Sequence, residues 1–384
     1  MIKNNLIKKS SCTIVSHTPY YMDDKGNHYG LGPTIEEIDH LSKLFKKIYH
    51  CAPLHKGTPP KSFKCHDSKN VKYIPLAPAG GKNLFNKLAN VYLFPKNLKI
   101  IKTNLIGVDW LHFRAPTGIG LMLLPWILLF WKKGIWVKYA GSWIDKRAPI
   151  SYRLQRYILK LFPKRCKISI NGNFENKRQN FHNFINPCFN YENLKKANSV
   201  SYSKDFKKKL KLIYVGRIEP KKGLDDIFKL LLNLENTDRI EDLTIIGESE
   251  DYSKYESLGD CLPFKVKITG PLSRKDVFNY FSKSDILLFL SKSEGFPKVV
   301  MEAGAYGCVP ILSKIPNLEI YIKHGFNGFL LQNQSIVKSK LIFQNILSDP
   351  TYLKKISMEI TRTSKLFTFE NYLIKVSNRI LNDR

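Results

Sequence analysis

Two carboxylates and two cations carry the types and spacing that could do chemistry. In SEGFPKVVMEAGAYGCVP, Glu294 follows the apolar run 285–291 and Glu302 lies eight residues further on. A carboxylate leaving a strand end accepts hydrogen bonds from sugar hydroxyls, and a second one in the ensuing helix does the same for a ribose. Between them, the helix N-terminus offers N–H groups and the positive end of its dipole to a diphosphate. Gly295 lets the backbone approach a ligand closely, and Phe296 adjoins it. Either acid alone reads as well as a cap or a solvated helix residue; together with the glycine they read as a ligand site. In VGRIEPKKG, Arg217 ends another apolar run and Lys222 sits five residues later, at a helix start. Such a pair neutralises a diphosphate, Arg through forked hydrogen bonds and Lys as a point charge. Lys221 reads as surface charge.

These residues meet only if strands aim them. In open α/β sheets ligands bind beyond the C-terminal strand ends, at helix N-termini. The second half of the chain alternates accordingly. KLKLIYVGR (209–217), LTIIG (243–247), VKITG (266–270), DILLFLS (285–291) and VPILS (309–313) read as strands. Gly270 ends one of them on the donor side. GLDDIFKLLLNL (223–234) places Leu224, Ile227, Phe228 and Leu231 on one helical face. SRKDVFNYFSKSD opens with a capping Ser273 and Asp276 three residues on. In the first half CTIVSH (12–17), KIYHCAP (47–53), DWLHFRAP (109–116), IWVKYAG (135–141) and KISING (167–172) read as strands. PTIEEIDHLSKLF (33–45) reads as an amphipathic helix. The fold class predicted is α/β, with parallel sheets covered by helices.

From about 209 to 331 the sequence resembles the C-terminal domain of the family 4 glycosyltransferases. These are retaining enzymes of the GT-B fold, with two Rossmann-like α/β/α domains facing a central cleft. The matching elements are GRIEPKKG, TIIG, TGPLSRKDV, the ILLFLSKSEGFPKVVMEA block with its Glu-x7-Glu spacing, GCVP and HGFNGFLL (324–331). The resemblance implies that Glu294 contacts the donor sugar, Glu302 the ribose, and Arg217 and Lys222 the diphosphate. Pro297 stands where many members carry glycine. It has no N–H, so backbone contacts fall to Lys298 and Val299. The domains expected are an acceptor-binding 1–200, a donor-binding 201–350, and a helical segment 351–384 whose return to the first domain stays open. The polar stretch 199–209 reads as the linker.

The first half resembles the family weakly. HYGLGP (28–33) reads either as a glycine loop facing the donor phosphates through Gly30 and Gly32, or as a flexible loop. His112 in HFRAP is a candidate catalytic group or a satisfied core histidine, and Arg114 a candidate acceptor or phosphate ligand. Many members carry a histidine after a later strand, where this chain has YAGSW (139–143).

The 384 residues suffice for two domains, and 43% hydrophobic with 24% charged residues is a globular composition. The net charge of +30, from 62 Lys+Arg against 32 Asp+Glu, suits anionic partners or reflects a Lys-rich composition. GIGLMLLPWILLFW (118–131) is shorter than the roughly 20 residues of a spanning helix and holds Pro125. It reads as a helix buried beside a sheet or as an interfacial one, with Trp126 and Trp131 near headgroups and Lys132 and Lys133 flanking. Seven scattered cysteines without a CxxC pair suit reduced, cytosolic thiols, and no signal-type apolar run opens the sequence.

No Asp-x-Asp, no GxGxxG after the first strand and no GxxxxGK[ST] occurs, which weakens metal-chelating, dehydrogenase and P-loop readings. The expected reaction is metal-independent transfer of a hexose from a UDP- or GDP-sugar co-substrate, without a further cofactor. The expected acceptor is a saccharide hydroxyl, lipid-linked at the inner face of the cytoplasmic membrane in bacterial surface polysaccharide assembly. A nucleotide-sugar epimerase or hydrolase is the near alternative. A nucleic-acid-binding protein is the distant one, because the lysines are dispersed.

Overall fold

A computed structural model describes residues 10–79, 89–141, 143, 144, 148–172, 178–292, 294, 296–331 and 336–382. The chain divides into two compact units, one of Met1–Ile185 with Asn371–Arg384 and one of Asn186–Glu370. The stretch 199–209, expected as a linker, lies inside the second unit, where its first residues end the helix Tyr191–Ser203.

In the first unit seven parallel strands form one sheet. They are β1 (Ser11–Val15), β4 (Lys47–Pro53), β6 (Val71–Leu76), β7 (Trp110–Ala115), β8 (Gly134–Tyr139), β9 (Cys166–Asn171) and β10 (Phe181–Phe184), in the order β10-β9-β8-β7-β1-β4-β6. Strands β7 and β8 are apolar almost throughout because helices cover both faces of the sheet. On one face the helix Gly120–Phe130 buries Gly120, Leu123, Leu124 and Ile127. That is the segment 118–131; its Trp126 packs against the core, and of its large apolar side chains Leu129 and Phe130, at the end of the helix, are largely exposed. Among the described residues no helix is long and apolar enough to cross a membrane. On the other face Ile38, Leu41 and Phe45 meet Tyr372, Leu373, Val376 and Ile380 from the end of the chain. Each such fully buried side chain contributes about 1.5–3 kcal/mol.

A second, antiparallel sheet of β2 (Tyr20–Met22), β3 (His28–Leu31) and β5 (Phe63–Lys64) holds HYGLGP. Gly30 is paired within β3, where a Cβ would lie 2.5 Å from Ile35 Cδ1 and 2.7 Å from the Tyr20 ring. Gly32 opens the helix Gly32–Leu41 and donates its N–H to Ser62 O at 3.1 Å. The flexible-loop reading is therefore corrected: both glycines serve close packing of the small sheet.

The second unit has six parallel strands, β11 (Leu210–Val215), β12 (Ile240–Ile246), β13 (Lys265–Ile268), β14 (Ile286–Phe289), β15 (Val309–Ser313) and β16 (Phe329–Leu331). Their order is β13-β12-β11-β14-β15-β16. The chain runs outward from β11 through β12 to β13, then returns to the other side of β11 as β14. The adjoining ends of β11 and β14 are thus the switch point at which α/β sheets bind ligands.

Candidate functional site

Both cations and one carboxylate leave the sheet at this switch point. Arg217 and Lys222 lie in the loop after β11, and Glu294 lies in the loop after β14. Lys222 Nζ contacts Glu294 Oε1 at 2.6 Å, with side chains 17% and 12% exposed. Ser291 Oγ donates to the same oxygen at 2.8 Å. The pair is held from the backbone: Lys292 donates its N–H to Lys221 O at 2.9 Å, and Ser291 Oγ reaches that carbonyl at 3.2 Å.

Two glycines allow the loops to come this close. Gly223 has φ +78°, and a Cβ there would lie 1.9 Å from Leu290 O and 2.3 Å from Leu290 C. A Cβ on Gly247, at the end of β12, would lie 1.8 Å from Gly216 O. Neither obstacle can swing aside, since both are main chain. Sequence reasoning passed over Gly223 and Gly247 as strand and turn punctuation; only their through-space neighbours reveal the role. Gly270, at φ +71°, ends β13 and accepts from Gly247 N at 3.1 Å.

Arg217 is 61% exposed and pairs with Glu219 at 2.8 Å. Burial disfavours the Glu219 carboxylate, yet Lys221, Arg217 and Lys222 together hold its pKa below the usual value. Glu302 lies in the helix Lys298–Ala305 and accepts from Arg274 at 2.9 Å. Arg274 also donates to Cys188 O, which ties Glu302 to the segment leading into the helix Tyr191–Ser203. Arg274 belongs to TGPLSRKDV but was read there only as part of a match. Its approach to Glu302 depends on the helix Arg274–Lys283, which Ser273 caps by accepting from Asp276 N.

Pro297 is the N-cap of the helix Lys298–Ala305, so the first-turn N–H groups begin with Lys298 and Val299. Val300 N reaches back to Pro297 O at 3.2 Å. Phe296 stacks on Phe367 at 5.1 Å and meets Tyr321 edge-on at 5.3 Å, which anchors the loop from its apolar side. Gly295 lies outside the described residues.

In the first unit two candidates are corrected. His112 is wholly buried in β7, stacked on Trp136 at 3.8 Å, and donates from Nδ1 to Trp136 O at 3.1 Å. Burial first, then the Arg114 charge, push its pKa well below 6.5, so it is a neutral core histidine rather than a catalytic group. Arg114 is committed to Glu37, at 2.7 Å from Oε1, and Lys138 reaches the same oxygen at 2.7 Å. Glu37 is 1% exposed and also accepts from Tyr372 OH at 3.2 Å. Arg114 therefore balances a buried carboxylate and is not poised for an acceptor anion.

A hydrogen-bonded chain unforeseen from sequence lies near the ends of β1 and β4. Asp39 Oδ1 meets His66 Nδ1 at 2.6 Å, and His66 Nε2 meets Tyr20 OH at 2.7 Å. Tyr20 OH meets His50 Nδ1 at 2.8 Å, and His50 Nε2 meets Ser16 Oγ at 2.8 Å. Burial first, then the neighbouring His66 and Arg114, hold the His50 pKa well below 6.5.

Residues 197–362 match the model of the family described as glycosyl transferases group 1. An uncharacterized glycosyltransferase of Haemophilus influenzae is 26% identical over 166 residues, 43% of this chain and 45% of that protein. The chain thus spans under half the length of that relative. Among solved structures, Anabaena HepE in complex with UDP and glucose superposes with a TM-score of 0.67 at 14% identity. The match covers 96% of this chain and 98% of that one. WaaG, a glycosyltransferase involved in lipopolysaccharide biosynthesis, superposes with a TM-score of 0.62 at 13% identity, covering 97% and 100%. Two Rossmann-like units in this likeness make the GT-B fold, and over residues 197–362 the chain is similar to the group 1 glycosyltransferases.

Proposed function

We propose that the protein transfers a hexose from a UDP- or GDP-sugar to a saccharide hydroxyl with retention of anomeric configuration, and that the acceptor is lipid-linked. The single observation that carries this is the Lys222–Glu294 contact of 2.6 Å at the ends of β11 and β14. It puts a cation suited to a phosphate beside a carboxylate suited to sugar hydroxyls, at the start of a helix whose first N–H groups have no partner within the helix. The complexes of HepE with UDP and glucose support a sugar nucleotide as donor. The place of WaaG in lipopolysaccharide biosynthesis supports a role in surface polysaccharide assembly.

In the reaction the anomeric carbon–oxygen bond breaks and the nucleoside diphosphate departs. Lys222, Arg217 and the helix N-terminus stabilise the charge that develops on it. The acceptor oxygen bonds to the anomeric carbon on the face the leaving group vacates, and its proton passes to a departing phosphate oxygen. No further cofactor takes part.

A thermal-shift series with UDP-glucose, UDP-galactose and GDP-mannose tests the donor half. A ligand at 100 times its Kd stabilises the native state by about 2.7 kcal/mol. The anomeric configuration of the product, read by NMR, tests retention. No stabilisation by any nucleotide-sugar, or an inverted product, refutes the corresponding half.

A further inference from the structure

The helix Ile150–Lys160 buries Gln155 and Leu159, so its opposite side faces water. That side is apolar. Ile150, Leu154, Tyr157 and Leu161 recur at i, i+4, i+7 and i+11, which is one stripe of a helix, and are 80%, 47%, 61% and 57% exposed. A helix on a soluble surface carries charges there instead. The helix Gly120–Phe130 packs beside it and ends in Leu129 and Phe130, 61% and 65% exposed.

Cations border this apolar surface. Arg153 and Lys160 are exposed along one flank of the stripe. Near the ends of the two helices, a recess of about 600 Å³ is lined by Lys132, Lys133, Lys164, Arg165 and Lys167, with Asp109 as the acid in its lining. The recess is built rather than incidental. Arg165 donates to Trp131 O at 3.1 Å and Lys132 O at 2.9 Å, and Lys133 donates to Val108 O at 2.8 Å. Asp109 is engaged by Ser11 N at 2.8 Å.

We propose that this face of the first unit docks on a bilayer containing anionic lipids. The stripe enters the acyl boundary and the recess receives phosphate headgroups. The proposal deepens, and rests on, the reading that the acceptor is lipid-linked. A second copy of the chain would bury the stripe but set these cations against cations. A nucleic acid would satisfy the cations but leave the stripe in water. A surface apolar within and anionic at its rim complements both.

The test is co-sedimentation of the full chain with vesicles of phosphatidylcholine alone and of phosphatidylcholine with phosphatidylglycerol. Binding is expected to the anionic vesicles only and to weaken with salt. The triple variant Leu154→Ser, Tyr157→Ser, Leu161→Ser is expected to lower partition at least tenfold. Lys164→Gln is expected to lower it about fivefold, the effect of one cation near the surface. Equal binding to both vesicle types, no binding to either, or unchanged partition in both variants overturns the proposal. So does a concentration-dependent dimer that the triple variant abolishes, or a preference for nucleic acid over the anionic vesicles. Stabilisation by UDP-glucose, measured on the same proteins, is expected to be unaltered by these changes. Its absence from the unaltered chain refutes the donor reading and leaves the docking surface standing on the vesicle result.

Discussion

Replacing Glu294 by Gln keeps the side chain's shape and its hydrogen bond from Ser291 but removes the charge that Lys222 faces at 2.6 Å. An exposed ion pair contributes about 0–1 kcal/mol, whereas breaking a fully buried one costs about 3–5 kcal/mol. Side chains 17% and 12% exposed place this pair between the two limits, so a cost of about 2 kcal/mol is expected. In a domain of this size that lowers Tm by about 4–8 °C. Lys222→Met is expected to cost a similar amount, because it strands Glu294. In the double variant neither charge is stranded, so the two penalties do not add and a coupling of about 1–2 kcal/mol remains. Urea unfolding of the four proteins measures it. With UDP-glucose present, both single variants are expected to lose most of the ligand-induced stabilisation. A coupling below about 0.5 kcal/mol would refute the reasoning, since the contact that aims both residues at one donor would then carry no energy.

Three further expectations rest on other contacts. Gly223→Ala drives a Cβ into the main chain at Leu290, so it should cost more than about 1–3 kcal/mol and weaken UDP-glucose binding although no ligand-facing group changes; wild-type binding by titration calorimetry would refute the account of the loop. Arg274→Ala frees Glu302 from its 2.9 Å partner. It should raise the donor KM with little change in kcat, as loss of uniform binding does, and a kcat effect alone would count against a ribose-side role. His112 has a folded pKa well below its reference 6.5, so below about pH 6.5 the unfolded chain takes up a proton that the folded one does not. Stability therefore falls as pH falls, by up to about 1.4 kcal/mol per unit. His112→Phe should reduce the slope in urea titrations between pH 7.5 and 5.5 by that share and leave the share of the likewise buried His50, and an unchanged slope would refute the neutral assignment.

The second unit was largely legible because parallel strands buried on both faces leave unbroken apolar runs. VPILS is β15 as read, DILLFLS contains β14, and the Ser273 cap forms on Asp276 N. The first unit was less so. β2, β3 and β5 are two to four residues long, too short for any period to show, so HYGLGP read as a loop. His112 and Arg114 carry polar types at a strand end, and type alone does not distinguish a site from a buried balance of charge. What decides it is Glu37, 77 residues from Arg114 in sequence. The same limit hid the engagement of Arg274 with Glu302 and the chain from Asp39 to Ser16, both of which join residues that no local pattern links.

The membership of residues 371–384 in the first unit has a consequence for how the molecule is made. Tyr372, Leu373, Val376 and Ile380 fill the core beside Ile38, Phe45 and Trp110, and Tyr372 OH reaches Glu37. During synthesis domains generally fold in the order in which they emerge. Here the second unit, Asn186–Glu370, is complete in sequence while the first still lacks part of its core. The earlier-made half must wait as an unfinished sheet with apolar surface showing, and the later-made half closes first. Truncation near residue 370 should therefore unfold the N-terminal half and spare the second unit.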